Sequence, residues 1–368
     1  MYLAIRDIRF AKGRFALMGA VVALITLLLV MLSGLTAGLG NQSTSALAAV
    51  PADQLVFGAP AGGAPKASFT ESEVTRAQQA QWSARDGVAR AEAIGISQSR
   101  FQVLGAGGVP ARTGSIAVFG TEPGAGLAPA PLSEGTIIVG TSLAKDLDLS
   151  IGSRASVGGT ELVVTAIVPD QWYSHTGVAW TTLDDWRRLA HIPDGGTATV
   201  LAVNYEGGSD AGTAVDLDAA NSAAGTVSTS VDGSFQALGS YKSENGSLLL
   251  MQAFLYGISA LVIVAFLTVW TVQRTRDIAV LKALGGSSRY ILRDAMAQAA
   301  LVLLAGAAVG GLVGVAGGFL ASRAAPFLLT PGTTLLPIAG IVLLGLAGAA
   351  LAVRNATRVD PLIALGGN

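Results

Sequence analysis

Histidine occurs only twice in this sequence, at His175 and His191, and cysteine does not occur at all. Those two facts close off most metal chemistry: no thiolate site can exist, three histidines cannot converge on zinc, and no HExxH pair is present. Nucleophilic hydrolysis is equally unsupported, for the chain has no GxSxG turn and no plausible Ser/His/Asp constellation. A GxxxxGK[ST] phosphate loop is also missing, so any use of ATP has to come through a second chain. What keeps chemical reach is a small polar set. Tyr173 and His175 lie in DQWYSHTGVAWTTLDDW, Tyr241 and Glu244 head an apolar run, and Met31 sits inside another. These are binding groups, and no catalytic residue is expected among them.

The elements that must position them follow from composition. The chain is 51% AVILMFWYC and 13% charged, against roughly 25% charged in an ordinary soluble domain. Charges fall in blocks and leave four stretches with none: between Arg14 and Asp53, Glu244 and Arg274, Asp294 and Arg323, and Arg323 and Arg354. Each exceeds the roughly 20 residues a helix needs to cross hydrocarbon. This predicts transmembrane helices over 15–40, 246–273, 295–322 and 330–353. The first apolar run is far longer than the roughly 7 to 15 residues of a signal peptide's central region, and no clear small-x-small site closes it. It is read as a retained anchor.

Lys and Arg in the flanks set the orientation. Arg6, Arg9, Lys12 and Arg14 precede the first span; Arg274, Arg276, Lys282, Arg289 and Arg293 follow the second; Arg354 and Arg358 follow the fourth. The loop between the third and fourth carries only Arg323. The asymmetry predicts a multi-pass plasma-membrane protein with cytoplasmic segments 1–14, 274–294 and 354–368, both termini inside, and residues 41–245 outside. That outer block holds 20 acids and 11 bases, the composition of a soluble domain. SIAVFG, GTIIVG, ELVVTAIV and TATVLAVNY read as strands bounded by Gly or Pro. TSLAKDLDL and TTLDDWRRLAH read as helices opening on a Ser/Thr cap. The Pro/Gly/Ala-rich FGAPAGGAPKAS and GTEPGAGLAPAPLSEG read as loops. The expected class is mixed α+β, stabilised by its core without disulfides.

Two segments are patterned beyond hydropathy. In QRTRDIAVLKALGGSSRYILRD, residues 273–294, apolar Ile278, Leu281 and Leu284 recur at helical spacing among basic residues, ahead of Gly285 and Gly286. One reading is a loop held by anionic lipid headgroups. The other, which the family resemblance given below implies, is a coupling element: Arg274, Arg276 and Asp277 would extend the helix past the bilayer, the apolar seam beside Lys282 would seat in a partner's groove, and Gly285 would turn the chain. A lipid-facing loop needs no ordered apolar seam, which favours coupling. In the third span Gly306, Gly310, Gly314 and Gly318 recur every four residues. They line one helix face without side chains and predict backbone-close helix packing, within the chain or across a dimer. Generic glycine enrichment, in a chain with 47 glycines, is the plainer alternative.

QRTRDIAVLKALGGSSRYI, directly after the second span, resembles the cytoplasmic signature of the FtsX/MacB superfamily of ABC-transporter permeases. YLAIRDIRFAKGRFAL, GTIIVGTSLAKDLDLSIGSRASVGGTELVVTAIV and NATRVDPLIALGG are similar to that superfamily in the same order across nearly the whole chain. The resemblance implies an integral membrane α-helical fold with four transmembrane helices and one α+β extracytoplasmic domain of MacB-periplasmic-core type between helices one and two. It also implies a non-catalytic subunit that forms a homodimer and works with two copies of a separate ATPase, which binds the ATP, through the 274–294 segment.

Within the superfamily, DQWYSHTGVAWTTLDDW and YKSENGSLLLMQAFLYGISALVIVAFLTVWTVQR are similar to the outer domain and second helix of haem-efflux permeases of the HrtB type. That likeness implies haem as transported ligand, taken from the membrane, with no intrinsic cofactor or metal and no nucleic-acid partner. Haem is a flat apolar macrocycle with two carboxylates, and its iron takes His, Met, Tyr or Cys ligands. Tyr241, Glu244, Leu248, Met251 and Leu255 share one helix face that descends from polar to apolar. With Met31 in the first helix and Tyr173 and His175 in the outer motif, they supply the candidate contacts: Met31, Tyr173, His175, Tyr241 and Glu244. Plainer roles exist for most: aromatic-belt anchors for Tyr173 and Tyr241, packing for Met31, structural hydrogen bonding for His175. Glu244, at the mouth of a membrane helix, must find water, a partner or a ligand. Three functions stay open at this point: haem efflux, a pump for another amphiphile such as a lipid, peptide or antibiotic, and an FtsX-like mechanotransmitter that activates a cell-wall enzyme.

The topology has a direct test in a chain without cysteine. Ser115→Cys should react with a membrane-impermeant maleimide in intact cells and Ser288→Cys should not; the reverse pattern rejects the orientation.

Overall fold

The computed structural model describes residues 12–60, 62–105, 110–193, 197–208, 215–273 and 287–357. They divide into two units, Gly40–Asn245 and the pair of segments Met1–Leu39 with Gly246–Asn368. In chain order the elements are helix α1 (Lys12–Ala48), β1 (Gln54–Phe57), α2 (Arg76–Ser83), β2 (Val88–Leu104), β3 (Pro110–Thr121), β4 (Thr136–Gly140) and α3 (Thr141–Leu147). Then come β5 (Arg154–Val157), β6 (Thr160–Val168), β7 (Trp172–Tyr173), β8 (Thr176–Thr182), α4 (Leu183–Leu189), β9 (Val200–Tyr205), α5 (Leu217–Ala224) and β10 (Val227–Ser230). After the short α6 (Val231–Ser234) follow three long helices, α7 (Gly239–Gln273), α8 (Ser288–Ala321) and α9 (Pro331–Thr357).

The unit spanning residues 40–245 is organised by β2. Its first part, Val88 to Ile94, pairs antiparallel with β9, the stretch from Ile94 to Leu104 with β3, and Phe101 to Val103 with β5. The strand order β2-β3-β8-β4-β6-β5 therefore returns to β2 and closes a six-stranded barrel, while β9, β1 and β10 extend the sheet from β2's other edge. Both faces are buried, so alternate residues feed two cores. On β3, Ile116 and Val118 enter one core, and Ala117 and Phe119 the other. On β1, Val56 faces the first while Leu55 and Phe57 face the second. This is why SIAVFG and GTIIVG read as continuous apolar runs: a sheet covered on both sides has no polar face to alternate with.

One contact fixes the helix layer. Gly95 and Gly120 stand directly opposite each other on β2 and β3, and the Trp186 indole lies across them, in the space a Cβ at either glycine would occupy. Its Nε1 donates to Ser97 Oγ at 3.0 Å. Trp186 belongs to α4, whose cap Thr182 accepts from the Asp185 amide. The Asp185 carboxylate is fully buried and accepts from Thr182 Oγ1 (2.7 Å), the Gly135 amide (2.8 Å) and Arg188 Nη2 (2.6 Å). A carboxylate is tolerable in that position only because each lone-pair direction is answered. The capping expected for α3 takes another form. Gly140 is its N-cap, and the Asp170 carboxylate accepts from the Ser142 amide at 2.8 Å and from its hydroxyl at 2.6 Å.

In the other unit, α1, α7, α8 and α9 are each long and apolar enough to cross a membrane, over Phe15–Ala48, Gly239–Phe266, Arg293–Ala321 and Pro331–Leu351. Met18, Val22 and Leu29 of α1 pack with Ile263, Val302, Leu303, Ala307 and Ile341. The glycine face of α8 meets α1 in its first three members, and at two of them it meets the backbone: a Cβ at Gly306 would stand 2.7 Å from the Gly19 carbonyl oxygen, and one at Gly310 would overlap the Ala23 carbonyl. Gly314 faces Val30, and Gly318 faces Phe327 of the loop before α9. Phe327 also occupies the space beside Gly34, whose carbonyl accepts from the Leu328 amide at 3.0 Å. Helices approach this closely only where side chains are missing.

Gly310→Val should force α8 off the Ala23 backbone and cost ~1–3 kcal/mol of stability. Gly257→Val, on α7 with open space around its Cβ, should be nearly neutral. Thermal unfolding of the two variants in detergent decides it, and equal midpoints would reject the close contact.

Candidate functional site

Of the five candidate ligand contacts, the fold brings His175 and Glu244 into direct contact and sets Tyr241 on the same helix end. The geometry begins with the β7–β8 hairpin. Trp172 pairs with Gly177 and Tyr173 with Thr176, leaving Ser174 and His175 as a two-residue turn. Both have left-handed backbones, with φ of 48° and 62°, the pattern of the turn that best matches strand twist and that usually takes Asn-Gly. Such backbone costs a residue with a side chain about 1–3 kcal/mol, so the surroundings must hold it.

They hold it from the end of α1. The Ser174 amide donates to the Ser43 carbonyl at 3.0 Å, the His175 amide to the Gln42 carbonyl at 2.9 Å, and the Trp172 amide to Ser45 Oγ at 2.9 Å. Side chains complete the contact. His175 Nε2 lies 2.9 Å from Glu244 Oε2 and 3.1 Å from Ser43 Oγ, and Ser174 Oγ lies 3.1 Å from Ser240 Oγ. With its proton on Nε2 the imidazole donates to the carboxylate, and Ser43 Oγ shares that N–H. The pair is about a third exposed on each side, 37% for His175 and 31% for Glu244. Each partly exposed hydrogen bond of this kind contributes a net 0.5–1.5 kcal/mol, roughly. The hairpin tip is therefore held by many weak bonds against two strained residues.

Tyr241, half-buried, packs edge-on against Phe235 with centroids 6.1 Å apart and lies over Gly40, where a Cβ would be 3.6 Å from its ring. Further along α7 the same face carries half-buried Leu248 and Leu255 and exposed Met251. Tyr173 has a different place. It is 6% exposed, in the second core, with its ring edge-on to Phe69 (5.9 Å) and Phe119 (5.4 Å). Burial holds its hydroxyl well above the ordinary phenol range. Met31 belongs to the other unit, its Sδ 3.5 Å from the Cβ position of Gly317 on α8. The coupling candidates Arg274, Arg276, Asp277, Ile278, Leu281, Lys282, Leu284 and Gly285 lie outside the described residues.

Ser43, Ser174 and Ser240 complete the cluster, and they were not singled out from the sequence. Strand pairing offered one signal: WY and TGVAWTT separated by two residues reads as a hairpin, which would have marked Ser174 and His175 as its tip. Nothing local marks Ser43 or Ser240, whose roles come from what the fold sets beside them. Among the described residues no group of three or more His, Cys, Asp or Glu stands together to hold a metal ion.

Residues 249–361 match the FtsX-like permease C-terminal family. The HrtB hemin transport system permease proteins of two Staphylococcus epidermidis strains are each 24% identical to this chain over 316 residues, 84% of this chain and 83% of theirs. Among solved structures, the periplasmic region of MacB from Actinobacillus actinomycetemcomitans aligns with a TM-score of 0.37 and 11% identity, covering 51% of this chain and 92% of its own. The extracellular domain of the noncanonic ABC-type transporter YknZ from Gram-positive bacteria aligns at 0.35 and 13%, covering 48% and 99%.

The burial of Tyr173 has a measurable consequence. Its phenol keeps its proton in the folded state above about pH 10, where an unfolded tyrosine releases it. The native state then binds more protons than the unfolded one, so stability falls as pH rises past 10. Tyr205, raised by burial and by Asp53, adds to the slope. Tyr173→Phe should flatten the loss between pH 10 and 11 by up to ~1.4 kcal/mol, read from denaturant midpoints. An unchanged slope would place Tyr173 in contact with solvent.

Proposed function

We propose that this chain, which carries an FtsX-like permease domain, is the membrane subunit of an ABC-type pump that exports haem from the membrane to the outside. A separate ATPase binds and hydrolyses the ATP in two copies, and two copies of this chain form the permease. The termini and residues 274–294 face the cytoplasm, and residues 41–245 lie outside. The segment around Ile278, Leu281 and Leu284 carries the ATPase's movement into α7.

The observation that carries the cargo reading is the Glu244–His175 pair at the head of α7, with Tyr241 one turn before it and an apolar face after it. An amphiphile with a flat apolar body and a polar end matches that sequence of surfaces. Carboxylate, imidazole and phenol are all groups that meet haem, the last two as iron ligands. The hemin transport permeases to which the chain is similar along most of its length support the same cargo. Met31 is proposed as a further contact from α1, and Tyr173 supports the hairpin from beneath.

The test is spectroscopic. The permease co-purified with its cognate ATPase and titrated with haem should retain a Soret band through gel filtration. Tyr241→Phe combined with Glu244→Ala should shift or abolish that band while the complex still elutes intact. A cell lacking the protein should be more sensitive to haem. A complex that retains no haem rejects the cargo, and an unshifted band in the double variant rejects the site.

A further inference from the structure

Three hydrogen bonds hold the hairpin to α1 through its backbone N–H groups: Trp172, Ser174 and His175 donate to Ser45 Oγ, the Ser43 carbonyl and the Gln42 carbonyl. The one additional side-chain contact on that side is His175 Nε2 with Ser43 Oγ. Toward α7 the tip offers side chains alone, Ser174 to Ser240 and His175 to Glu244. The two sides therefore differ in strength and in access to water. Both α7 contacts are solvent-accessible, and water can replace either partner. The strained backbone of Ser174 and His175 is fixed by α1 whether or not α7 is engaged.

We infer that the Ser174–His175 tip is a releasable clasp: anchored on the end of α1, it holds the start of α7 at rest and lets go of it during the transport cycle. The inference rests on the permease reading. In the clasped state Glu244 is occupied by His175, so the group proposed to meet the cargo is blocked by the chain itself. Release of Ser240 and Glu244 leaves the first turn of α7 held to α1 by Tyr241 over Gly40 alone and exposes the carboxylate and imidazole together. The clasp thus makes ligand engagement and the movement of α7 one event. The other charged side chain on that first turn, Lys242, is exposed. The end of α1 offers the tip only Gln42, Ser43 and Ser45, none of them ionisable.

The absence of native cysteine gives a clean experiment. Ser174→Cys with Ser240→Cys replaces a 3.1 Å hydroxyl contact by two thiols in reach of a disulfide. In membranes holding the full permease–ATPase complex, oxidation should close this bond readily without nucleotide and roughly tenfold more slowly with ATP and vanadate, a shift expected of a population moving between two states. The oxidised complex should lose ATPase turnover and regain it on reduction. His175→Ala in the same background should slow closure, because the tip loses its second hold on α7. Should that pair fail to assemble, His175→Cys with Glu244→Cys, joined by a short bifunctional thiol cross-linker because the two truncated side chains lie beyond disulfide reach, reports the same opening. Closure rates indifferent to ATP, or full turnover in the oxidised complex, overturn the clasp. Haem enters none of these measurements, so a missing Soret band rejects the cargo and leaves the clasp standing, while ATP-insensitive closure rejects the clasp and leaves the cargo.

Discussion

Hydrocarbon offers a peptide group no hydrogen-bond partner, so each N–H and C=O inside it must be satisfied within its own segment. The four long helices are the response, and side chains follow the same constraint. Thr26, Ser259 and Thr268 return their hydroxyls to the carbonyl four residues earlier, and Gln298 donates to Asp294 one turn back. Lipid also removes most of the hydrophobic drive between helices, leaving close packing to provide cohesion. Glycine supplies it here: Gly306 and Gly310 admit the backbone of α1, and Gly34 and Gly318 admit the ring of Phe327.

The unit formed by residues 40–245 meets the opposite condition, in which water is everywhere and burial must be built. Its sheet is covered on both faces, and the cover is attached by shape. The glycine pair on β2 and β3 is a depression that only a flat side chain fills, and Trp186 fills it. Asp185, one residue earlier, ties the same helix to the Gly135 amide in the loop before β4. A single turn of α4 thus carries both the apolar and the polar attachment.

Much of this was legible in the sequence because it depends on period and composition. Uncharged runs longer than a bilayer, β-branched runs between glycines, and glycine every fourth residue each have one dominant physical explanation. The parts that were not legible depend on context. β2, VARAEAIGISQSRFQVL, is the longest strand among the described residues, yet Arg90, Glu92, Gln98 and Arg100 interrupt its apolar pattern, and its role follows from three partners, two of which, β5 and β9, lie far away in the chain. α2 and α5 are short and rich in Ala, Gln and Asn; their caps at Thr75 and Asp216 are clear only once the helices are seen. At the candidate site the residue types that could bind a ligand were readable, but Tyr173 was separated from His175 by a fact no pattern expresses: the hairpin turns one residue into the core and the other toward α7.

β2 also governs how this unit comes into being. Val88 through Ile94 wait for β9, where Ile94 pairs with Val200, and Phe101 through Val103 wait for β5. Only β3 is available soon after β2 itself. Pairings so distant along the chain pay loop-closure entropy before they return any burial, which places such topologies among the slower folders. Until β5 and β9 arrive, the outer edge of β2 is unpaired, and that of β3 waits for β8; exposed strand edges recruit other chains. A newly made copy of this protein is therefore most vulnerable to misassembly after β3 is complete and before β9 has been synthesised, an interval of some eighty residues in which β2 must keep its free edge from other chains.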